Sequence, residues 1–339
     1  MFANTEQLEE ALSAPSAELI ETFRRLDGDL MILGVAGKMG PTLARMARRA
    51  SDAAGKKRRI IGVARFSNPE LAESLPRHGV EVLRCDLLDS KQVDALPDAP
   101  NVVWMGGMKF GTMGQEHLTW AMNTVAPALV CNQFRQSRIV AFSTGNVYGL
   151  SPVVRGGSVE EDPLHPVGEY ALSALGRERI FEYFSRTLSI PMVLLRLNYA
   201  VEMRYGVLVD IARRVFAGKP VDVSLGSFNV IWQGDANAMA LRAFEFTRTP
   251  PRVLNLTGPE TLSVRHIAQR FAQLFQKTPI VTGSEAPDAL LNNAQQATRL
   301  FGYPSVNVEQ MLERIAAWTK DVGQFLDKPT HFDSRDGQF

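Results

Sequence analysis

Short apolar runs alternate with helical segments between residues 30 and 197, and this alternation restricts the fold more than any other feature of the chain. Predicted strands cover 30–33, 60–64, 80–85, 101–105, 137–143 and 191–197, and predicted helices cover 41–50, 69–75, 91–96, 116–135 and 169–188. The strands are mostly apolar, as is typical of parallel strands that are covered on both faces. Because crossovers between parallel strands are right-handed, we expect an α/β fold with a doubly wound parallel sheet.

The segments outside this alternation predict two additions to the sheet. Apolar residues at helix-like spacing over 5–26 predict an N-terminal helix that docks on the body of the fold. Beyond residue 198 the alternation weakens, with predicted helices at 206–218, 264–275 (N-capped by Ser263) and 309–318, and strands at 221–223 and 253–256. We therefore expect a helical extension (1–28), the main sheet (29–198), a smaller lobe (199–324) from which some segments could return to the main sheet, and a tail (325–339).

Composition and charge exclude several kinds of partner. The chain has 339 residues and a formal net charge of +1, so no broad attraction to nucleic acid or to an anionic membrane is expected. No apolar run reaches the roughly 20 residues that span a bilayer, and the acidic N-terminus does not resemble a signal peptide, so we expect a cytoplasmic location. Cys85 and Cys131 are expected to be buried thiols, and the five histidines form no cluster that would hold a metal.

A glycine-rich turn follows the first predicted strand and precedes a helix with Pro41 in its first turn. Glycines permit a tight turn and a close approach of the backbone to a pyrophosphate, and the helix N-terminus offers unpaired N–H groups to the phosphates. We therefore interpret 29–198 as a dinucleotide-binding domain, with a glycine turn on a vestigial site as the alternative. The predicted cofactor-binding residues of the turn are Gly34, Gly37, Lys38, Met39 and Gly40.

The end of the second strand bears on the choice between NAD and NADP. An acidic residue at this point usually accepts hydrogen bonds from the ribose hydroxyls of NAD, but here Ala64 is followed by Arg65 and no carboxylate is present. Arg65 could instead meet the 2′-phosphate of NADP, and Lys38 could add a second positive charge. We favour NADP over NAD, with a solvated arginine at a strand end as the alternative interpretation of Arg65.

Several stretches resemble the extended short-chain dehydrogenase/reductase family, which includes the NAD-dependent epimerases and dehydratases. The resemblance covers roughly residues 29–320 and rests on the glycine spacing and on 85–89, 102–109, 122–125, 141–149, 228–235 and 256–263. It implies a Rossmann-like fold with a C-terminal substrate lobe, a nicotinamide cofactor, and a homodimer formed through the helices at 116–135 and 169–188. By this resemblance Asp86 and Leu87 lie by the adenine, Lys109 approaches the pyrophosphate, and Asn123 lies behind the active site.

The same resemblance identifies two catalytic candidates, Thr144 and Tyr170. Thr144 falls at the Ser/Thr of the family's Ser-Ser-x-x-Val-Tyr-Gly stretch, and Tyr170 at the tyrosine of its Tyr-x-x-x-Lys pair. In the family the tyrosine exchanges a proton with a substrate hydroxyl or carbonyl, the Ser/Thr hydrogen-bonds the same oxygen, and the nicotinamide carries the hydride. The alternatives are a helix-start tyrosine with its hydroxyl at the surface and a strand-end threonine that satisfies only backbone.

Ala174 stands where the family has the lysine of that pair. The lysine normally holds the nicotinamide ribose hydroxyls, and its charge lowers the pKa of the tyrosine. Arg177, seven residues after Tyr170 on roughly the same helix face, and Lys109 are the candidates to replace the missing charge. The charged run from Arg177 to Arg179 nevertheless favours a position for Arg177 on the surface or on the dimer face.

The sequence gives less information about the substrate than about the cofactor. Phe228 falls where UDP-sugar enzymes of the family have a nucleotide-binding arginine, and Tyr199 where they often have asparagine, so we expect a substrate other than a UDP-sugar. Pocket candidates chosen by position are Met108, Asn146, Tyr199, Arg204 and Trp232. We predict an NAD(P)-dependent oxidoreductase or epimerase acting on a small-molecule sugar or related hydroxy or keto compound. A catalytically silent dinucleotide-binding sensor is the alternative, and a dehydration or elimination on the same scaffold is a third possibility.

Overall fold

A single seven-stranded parallel sheet organises the molecule. The computed structural model describes residues 2–107, 114–328, 330–332 and 335. The strands are β1 (Leu30–Leu33), β2 (Ile60–Ala64), β3 (Glu81–Arg84), β4 (Asn101–Trp104), β5 (Arg138–Thr144), β6 (Met192–Leu197) and β7 (Arg252–Leu256). They lie in the order β7-β6-β5-β4-β1-β2-β3, with every neighbouring pair parallel. The order reverses between β1 and β4, which creates the crevice where such sheets bind ligands.

Helices cover both faces of this sheet, which confirms the predicted doubly wound architecture. They are α1 (Thr5–Leu12), α2 (Ala17–Arg25), α3 (Gly40–Ala53), α4 (Pro69–Arg77), α5 (Ser90–Asp94), α6 (Glu116–Trp120), α7 (Ala126–Gln133), α8 (Gly168–Leu188), α9 (Val207–Phe216), α10 (Gln233–Arg242), α11 (Val264–Phe275), α12 (Gln295–Phe301) and α13 (Val308–Asp321). One face packs against α2, α3 and α10 and the other against α5, α7 and α8. Successive strand residues point to opposite faces, so Met31 and Ile32 enter different cores. In the described part of the chain, no helix has the length and apolarity needed to cross a membrane.

A second core lies beside the sheet. It contains the apolar faces of α1, α9, α11 and α13. Pairs of two-residue strands frame it: Ala200–Val201 with Ile231–Trp232, Val221–Asp222 with Val281–Thr282, and Ser227–Phe228 with Leu262–Ser263. A further pair joins Ser151–Pro152 to Asp288–Ala289. The chain crosses between the two cores more than once, because α10 and β7 return to the main sheet after the lobe has begun.

Two of the predicted helices are each interrupted in the structure. The single helix expected over 5–26 is two helices, because the chain leaves the helical path before Ser16, whose hydroxyl caps α2 by accepting from the Leu19 N–H. The helix expected over 116–135 contains a π-helical turn, Ala121–Val125, between α6 and α7. Pro127 explains this turn, since it has no N–H to donate to the carbonyl of Asn123, four residues earlier.

The helix α1 connects the sheet to the lobe through charge as well as through apolar packing. The carboxylate of Glu9 pairs with Arg45 on α3 at 3.2 Å and with Arg204 of the lobe at 3.1 Å. On the next residue, Glu10 pairs with Arg45 at 3.2 Å and with Arg49 at 2.7 Å. The N-terminal extension is therefore bound both to the main sheet, through α3, and to the lobe.

Candidate active site

A cleft of about 350 Å³ lies at the carboxyl ends of β1, β4, β5 and β6, where the main sheet meets the lobe. It contains the expected ligand position of a doubly wound sheet, beside the switch between β1 and β4. The segments that line it are 37–39, 105–107, 142–144 and 197–200, together with Asn146, Tyr170, Arg177, Tyr205, Gly206, Lys328 and Thr330. Of the predicted site residues, the cleft brings together Gly37, Lys38, Met39, Thr144, Tyr170, Asn146 and Tyr199.

The glycine turn at the start of α3 has the geometry that a dinucleotide needs. Gly34 has a φ of +84°, and a Cβ there would lie 2.8 Å from the Gly106 nitrogen. A Cβ on Gly40 would lie 2.1 Å from the carbonyl oxygen of Val35, so only glycine lets α3 pack this closely on the turn. No side chain caps the N-terminus of α3, so the positive end of the helix dipole faces the turn and favours a phosphate there. The Gly40 N–H donates to the Gly37 carbonyl oxygen at 3.2 Å, which closes the turn. The residues present fit a bound dinucleotide.

Lys38 reaches from this turn across the cleft to the lobe. Its Nζ donates to the carbonyl oxygen of Ala200 at 2.9 Å and lies 4.3 Å from the ring centroid of Tyr205. Tyr199, also in the cleft, has a left-handed backbone with φ of +46°. Non-glycine residues in this conformation are strained and are concentrated at functional sites.

Tyr170 and Thr144 approach the cleft from two different elements. Tyr170 lies half-buried in the first turn of α8, and Thr144 is the buried last residue of β5. The Thr144 Oγ1 accepts a 3.2 Å hydrogen bond from the N–H of Asn146. Because a hydroxyl also donates, Thr144 can support the backbone and still hydrogen-bond a ligand oxygen.

Arg177 lies inside the site, so the predicted surface position was wrong. Only 4% of the residue is exposed, and its Nη1 donates to the Gly106 carbonyl at 3.2 Å and to the Asn123 Oδ1 at 2.9 Å. Tyr170 lines the same cleft as Arg177. Tyr170 and Arg177 are seven residues apart on α8, which places them on the same face of this helix. Arg179, in contrast, is exposed to solvent and pairs with Glu182 at 3.0 Å.

A buried ion pair joins β6 to α8 next to the cleft. The Nη2 of Arg196 on β6 lies 2.7 Å from the Oε2 of Glu178 on α8, with both side chains almost fully buried. The hydroxyl of Ser143, beside Thr144, donates to Glu178 at 2.5 Å. Arg196 also donates to the Tyr148 hydroxyl at 2.7 Å. Burial raises the pKa of Tyr148 to about 12, although Arg196 acts in the opposite direction.

Two of the predicted substrate residues lie away from the cleft lining. Arg204 forms ion pairs with Glu202, at 3.1 Å, and with Glu9. Trp232 is buried in the lobe core, where its ring stacks on Phe2. Position along the chain suggested both, but ion pairs hold Arg204, and the packing of the lobe core holds Trp232.

The other cofactor candidates lie outside the cleft or beneath it. Asn123 is fully buried, and besides accepting from Arg177 it donates to the Ser173 hydroxyl at 2.8 Å. Arg65 is exposed at the end of β2, while Asp86 and Leu87 follow β3. Met108 and Lys109 lie outside the described residues.

The cleft lining also includes Tyr205, Lys328 and Thr330, which were not among the predicted site residues. The last two belong to a segment that was interpreted as a tail. Thr330 is almost fully buried, and its hydroxyl donates to Asp210 of α9 at 2.6 Å. Nothing in the local sequence predicts this contact, since it depends on the fold of the lobe. Among the described lining residues the charged side chains are Lys38, Arg177 and Lys328, so the cleft favours anionic ligands.

A doubly wound sheet with a glycine turn at its switch point, facing a tyrosine and a threonine, is the architecture of a dinucleotide-dependent enzyme. Residues 30–220, more than half of the chain, match the model of the NAD dependent epimerase/dehydratase family, and the protein belongs to this family. This confirms the resemblance found in the sequence. None of the curated proteins compared with the chain matches it.

Solved structures of the same fold carry a nicotinamide cofactor. UDP-glucuronic acid 4-epimerase from Bacillus cereus in complex with NAD has a TM-score of 0.70 at 18% identity, over 87% of this chain and 99% of that one. UDP-glucose 4-epimerase from Thermus thermophilus with NAD has a TM-score of 0.69 at 18% identity, over 87% and 99%. MoeE5 with UDP-glucose and NAD has a TM-score of 0.68 at 20% identity, over 86% and 99%. At these identities the likeness is one of fold.

Proposed function

We propose that this protein is an NAD(P)-dependent oxidoreductase or epimerase that acts on a hydroxyl or carbonyl carbon of a sugar or related compound. One observation carries the proposal: a single cleft joins the glycine turn of residues 37–39 to Thr144 and Tyr170. A bound nicotinamide supplies the acceptor or donor for a hydride. Proton transfer then falls to the protein, and proton-transferring side chains must lie within hydrogen-bond reach of the substrate oxygen.

The roles of the two hydroxyls follow from their surroundings. Tyr170 would take the proton of a substrate hydroxyl during oxidation and return it during reduction. Thr144 would donate to the same oxygen, because its Oγ1 accepts from the Asn146 N–H and its hydroxyl hydrogen can be directed to a ligand. In the reverse direction the same two groups would polarise a substrate carbonyl.

NADP is the cofactor that we propose, on the strength of two arginines at the ends of β2 and β3. Arg65 is exposed, and Arg84 donates to its carbonyl oxygen at 3.2 Å, so two cations would be near a 2′-phosphate bound at the end of β2. The structures named above hold NAD, which is the alternative.

We expect Arg65→Ala to weaken NADP and NADPH binding by about tenfold or more, with little change for NAD and NADH. A hydrogen bond to a charged group contributes about 1.5–3 kcal/mol, and only the phosphorylated cofactors carry its partner. Calorimetric titration of both proteins with the four nucleotides measures the difference. If the affinities for all four nucleotides fall equally, or if the affinity for NADP does not change, Arg65 is a solvated side chain that makes no contact with a 2′-phosphate. If the parent protein binds none of the four nucleotides, the proposed function itself fails.

The substrate that we propose is not a UDP-sugar, because Phe228 offers no positive charge and lies buried in the lobe core. MoeE5 in complex with UDP-glucose makes UDP-sugars the alternative to test first. Turnover of UDP-sugars, sugar phosphates, sugar acids and neutral sugars, followed through nicotinamide absorbance and product analysis, separates these classes. Product analysis is required because an epimerase returns its hydride and leaves no net absorbance change. Turnover of UDP-sugars alone would overturn this part of the proposal.

A catalytically silent dinucleotide sensor remains the second candidate, because Ala174 offers no charge at the family's lysine position. Tight nucleotide binding without turnover on any of the substrates would favour it.

We also propose a homodimer formed through the segment from α6 to α7 and through α8. These helices expose large apolar side chains: Trp120, Val125, Leu172 and Tyr183. The segment from α6 to α7 packs against α8, and exposed apolar patches mark interaction sites. Sedimentation velocity of the parent and of Val125→Asp is expected to show a dimer and a monomer respectively. A monomeric parent would contradict the proposal.

A further inference from the structure

One positive charge in the cleft has no partner in the protein. Lys328 lines the cleft, and within the described part of the chain its ammonium group forms no ion pair and no hydrogen bond. The two other cations of the lining are held by protein atoms. Lys38 donates to the carbonyl oxygen of Ala200, and Arg177 donates to that of Gly106. Among the described lining residues, Lys328 is therefore the cation that stays available for a ligand.

The chain on either side of Lys328 is attached to the lobe. Two residues earlier, the N–H of Leu326 donates to the carbonyl oxygen of Arg204 at 3.1 Å. Two residues later, Thr330 donates from its N–H and its hydroxyl to the Oδ2 of Asp210, at 2.9 and 2.6 Å. Asp210 lies in the first turn of α9. Lys328 thus lies between two points of attachment, although its own side chain is exposed.

Two further contacts hold the same segment. Asp327 pairs with Arg213 of α9 at 3.0 Å, and Phe332 is buried in the lobe core beside Phe228. Asp327 and His331 have left-handed backbones, with φ of +48° and +52°. Such non-glycine residues are strained, and they are concentrated at functional sites. The lobe therefore holds this strained segment in one shape at the rim of the cleft.

The charges around the cleft define the ligand group that would pair with Lys328. No carboxylate occurs among the described residues that line the cleft. Lys38 belongs to the glycine turn, where a pyrophosphate is expected, whereas Lys328 enters from the lobe. Dinucleotides bind across the ends of the main strands, so the lobe supplies the opposite wall. A cation on that wall faces the substrate.

We propose that Lys328 binds the anionic group of a sugar acid or a sugar phosphate and so selects charged sugars over neutral ones. This inference rests on the proposed function, whose substrate class it narrows. A carboxylate and a phosphate offer an ammonium group the same chemistry, since the oxygen atoms of both accept charge-assisted hydrogen bonds. Lys328 takes no part in proton or hydride transfer.

The test compares Lys328→Met, Lys328→Arg and Lys57→Met with the parent. Lys328→Met keeps most of the side-chain length and removes the charge, whereas Lys328→Arg keeps the charge. Lys57 is the matched control, since it is also exposed but precedes β2, at the opposite end of the sheet. Calorimetry, with and without saturating nucleotide, measures the binding of glucuronate, glucose 6-phosphate and glucose, and of the corresponding galactose series.

We expect the parent to bind an anionic sugar more tightly than the matching neutral one. Lys328→Met should weaken this binding by about five- to tenfold, less than a buried charge would, because water screens an exposed lysine. Lys328→Arg should keep most of the affinity, and Lys57→Met all of it. The anion that binds, carboxylate or phosphate, identifies the substrate class.

Three results would overturn the proposal. The first is a parent that does not prefer anionic sugars, and the second is an unchanged affinity in Lys328→Met. The third is a loss of NADP affinity in Lys328→Met with sugar affinity intact, because Lys328 would then hold the cofactor.

Thr330→Val tests whether the attachment to Asp210 positions Lys328. The variant removes the hydroxyl donor and keeps the shape of the side chain. The affinity for anionic sugars should fall when the parent carries this change, but should fall no further when Lys328→Met carries it. An equal fall in both proteins would contradict the positioning. Thermal unfolding of each variant separates these effects from a loss of stability.

Binding and turnover together separate this inference from the proposed function. If Lys328→Met weakens the binding of anionic sugars but no sugar is turned over, the function fails and the anion site stands. If neutral sugars are turned over and Lys328→Met changes nothing, the function stands and the anion site fails. Where an anionic sugar is turned over, Lys328→Met should raise KM and leave kcat within a few-fold of the parent.

Discussion

Tyr170→Phe is expected to lower kcat by about 10²–10⁴-fold, the range that a positioned proton-transfer group contributes. The substitution removes one hydroxyl and leaves the ring in the first turn of α8, so nucleotide affinity should stay within a few-fold of the parent. Steady-state kinetics on whichever substrate is turned over, with calorimetry for the nucleotide, measures both quantities.

The matched control for this variant is Tyr183→Phe. Tyr183 lies on the same helix but is 60% exposed and does not line the cleft, so kcat should not change. If Tyr170→Phe retained the activity of the parent, proton transfer would have to be assigned to another group, and Thr144 would be the first candidate.

Arg196→Met should have the largest effect on stability, lowering the free energy of unfolding by about 3–5 kcal/mol. The variant leaves Glu178 buried without its cation and removes a donor from the Tyr148 hydroxyl. Replacing both charges, as Arg196→Met with Glu178→Leu, should recover part of this loss, because no charge then remains uncompensated. Denaturant unfolding followed by fluorescence gives the values.

Arg186→Met is the control for the buried pair. Arg186 pairs with Glu182 on the outside of α8, where its side chain is 57% exposed, and such pairs contribute about 0–1 kcal/mol. A similar small loss in Arg196→Met would mean that Glu178 regains solvent or another partner, and that the network behind the cleft does not stabilise β5, β6 and α8.

The main sheet could be predicted because each of its strands carries its own signal. β1 and β2 have the predicted bounds, and the other strands differ by one residue at one or both ends. Apolar runs of strand length between helical segments suffice for this, since both sheet faces are buried. The interruptions at Pro15 and Pro127 also had a local signal, which the apolar periodicity of the surrounding helices outweighed.

The position of Arg177 could not be predicted from its neighbours. Helical spacing shows that it shares a face with Tyr170, but a charged run gives no indication of whether that face is buried. The structure buries it because the π-helical turn around Asn123 and the carbonyl of Gly106 come from distant parts of the chain to receive it. Lys328 and Thr330 are a similar case, because their contact with the cleft depends on the whole lobe.

The N-terminal helices have a consequence for how the molecule unfolds. Leu8 and Leu12 of α1 belong to the lobe core, whereas Leu19 and Phe23 of α2 belong to the core of the sheet. A short connection therefore joins the two hydrophobic cores. In addition, α10 and β7 follow the start of the lobe in the chain but pack in the core of the sheet. Neither core is built from one continuous stretch of chain, so neither can open without removing part of the other. We therefore expect sheet and lobe to unfold as one cooperative unit, so that a loss of stability on either side of the cleft is shared by the whole protein.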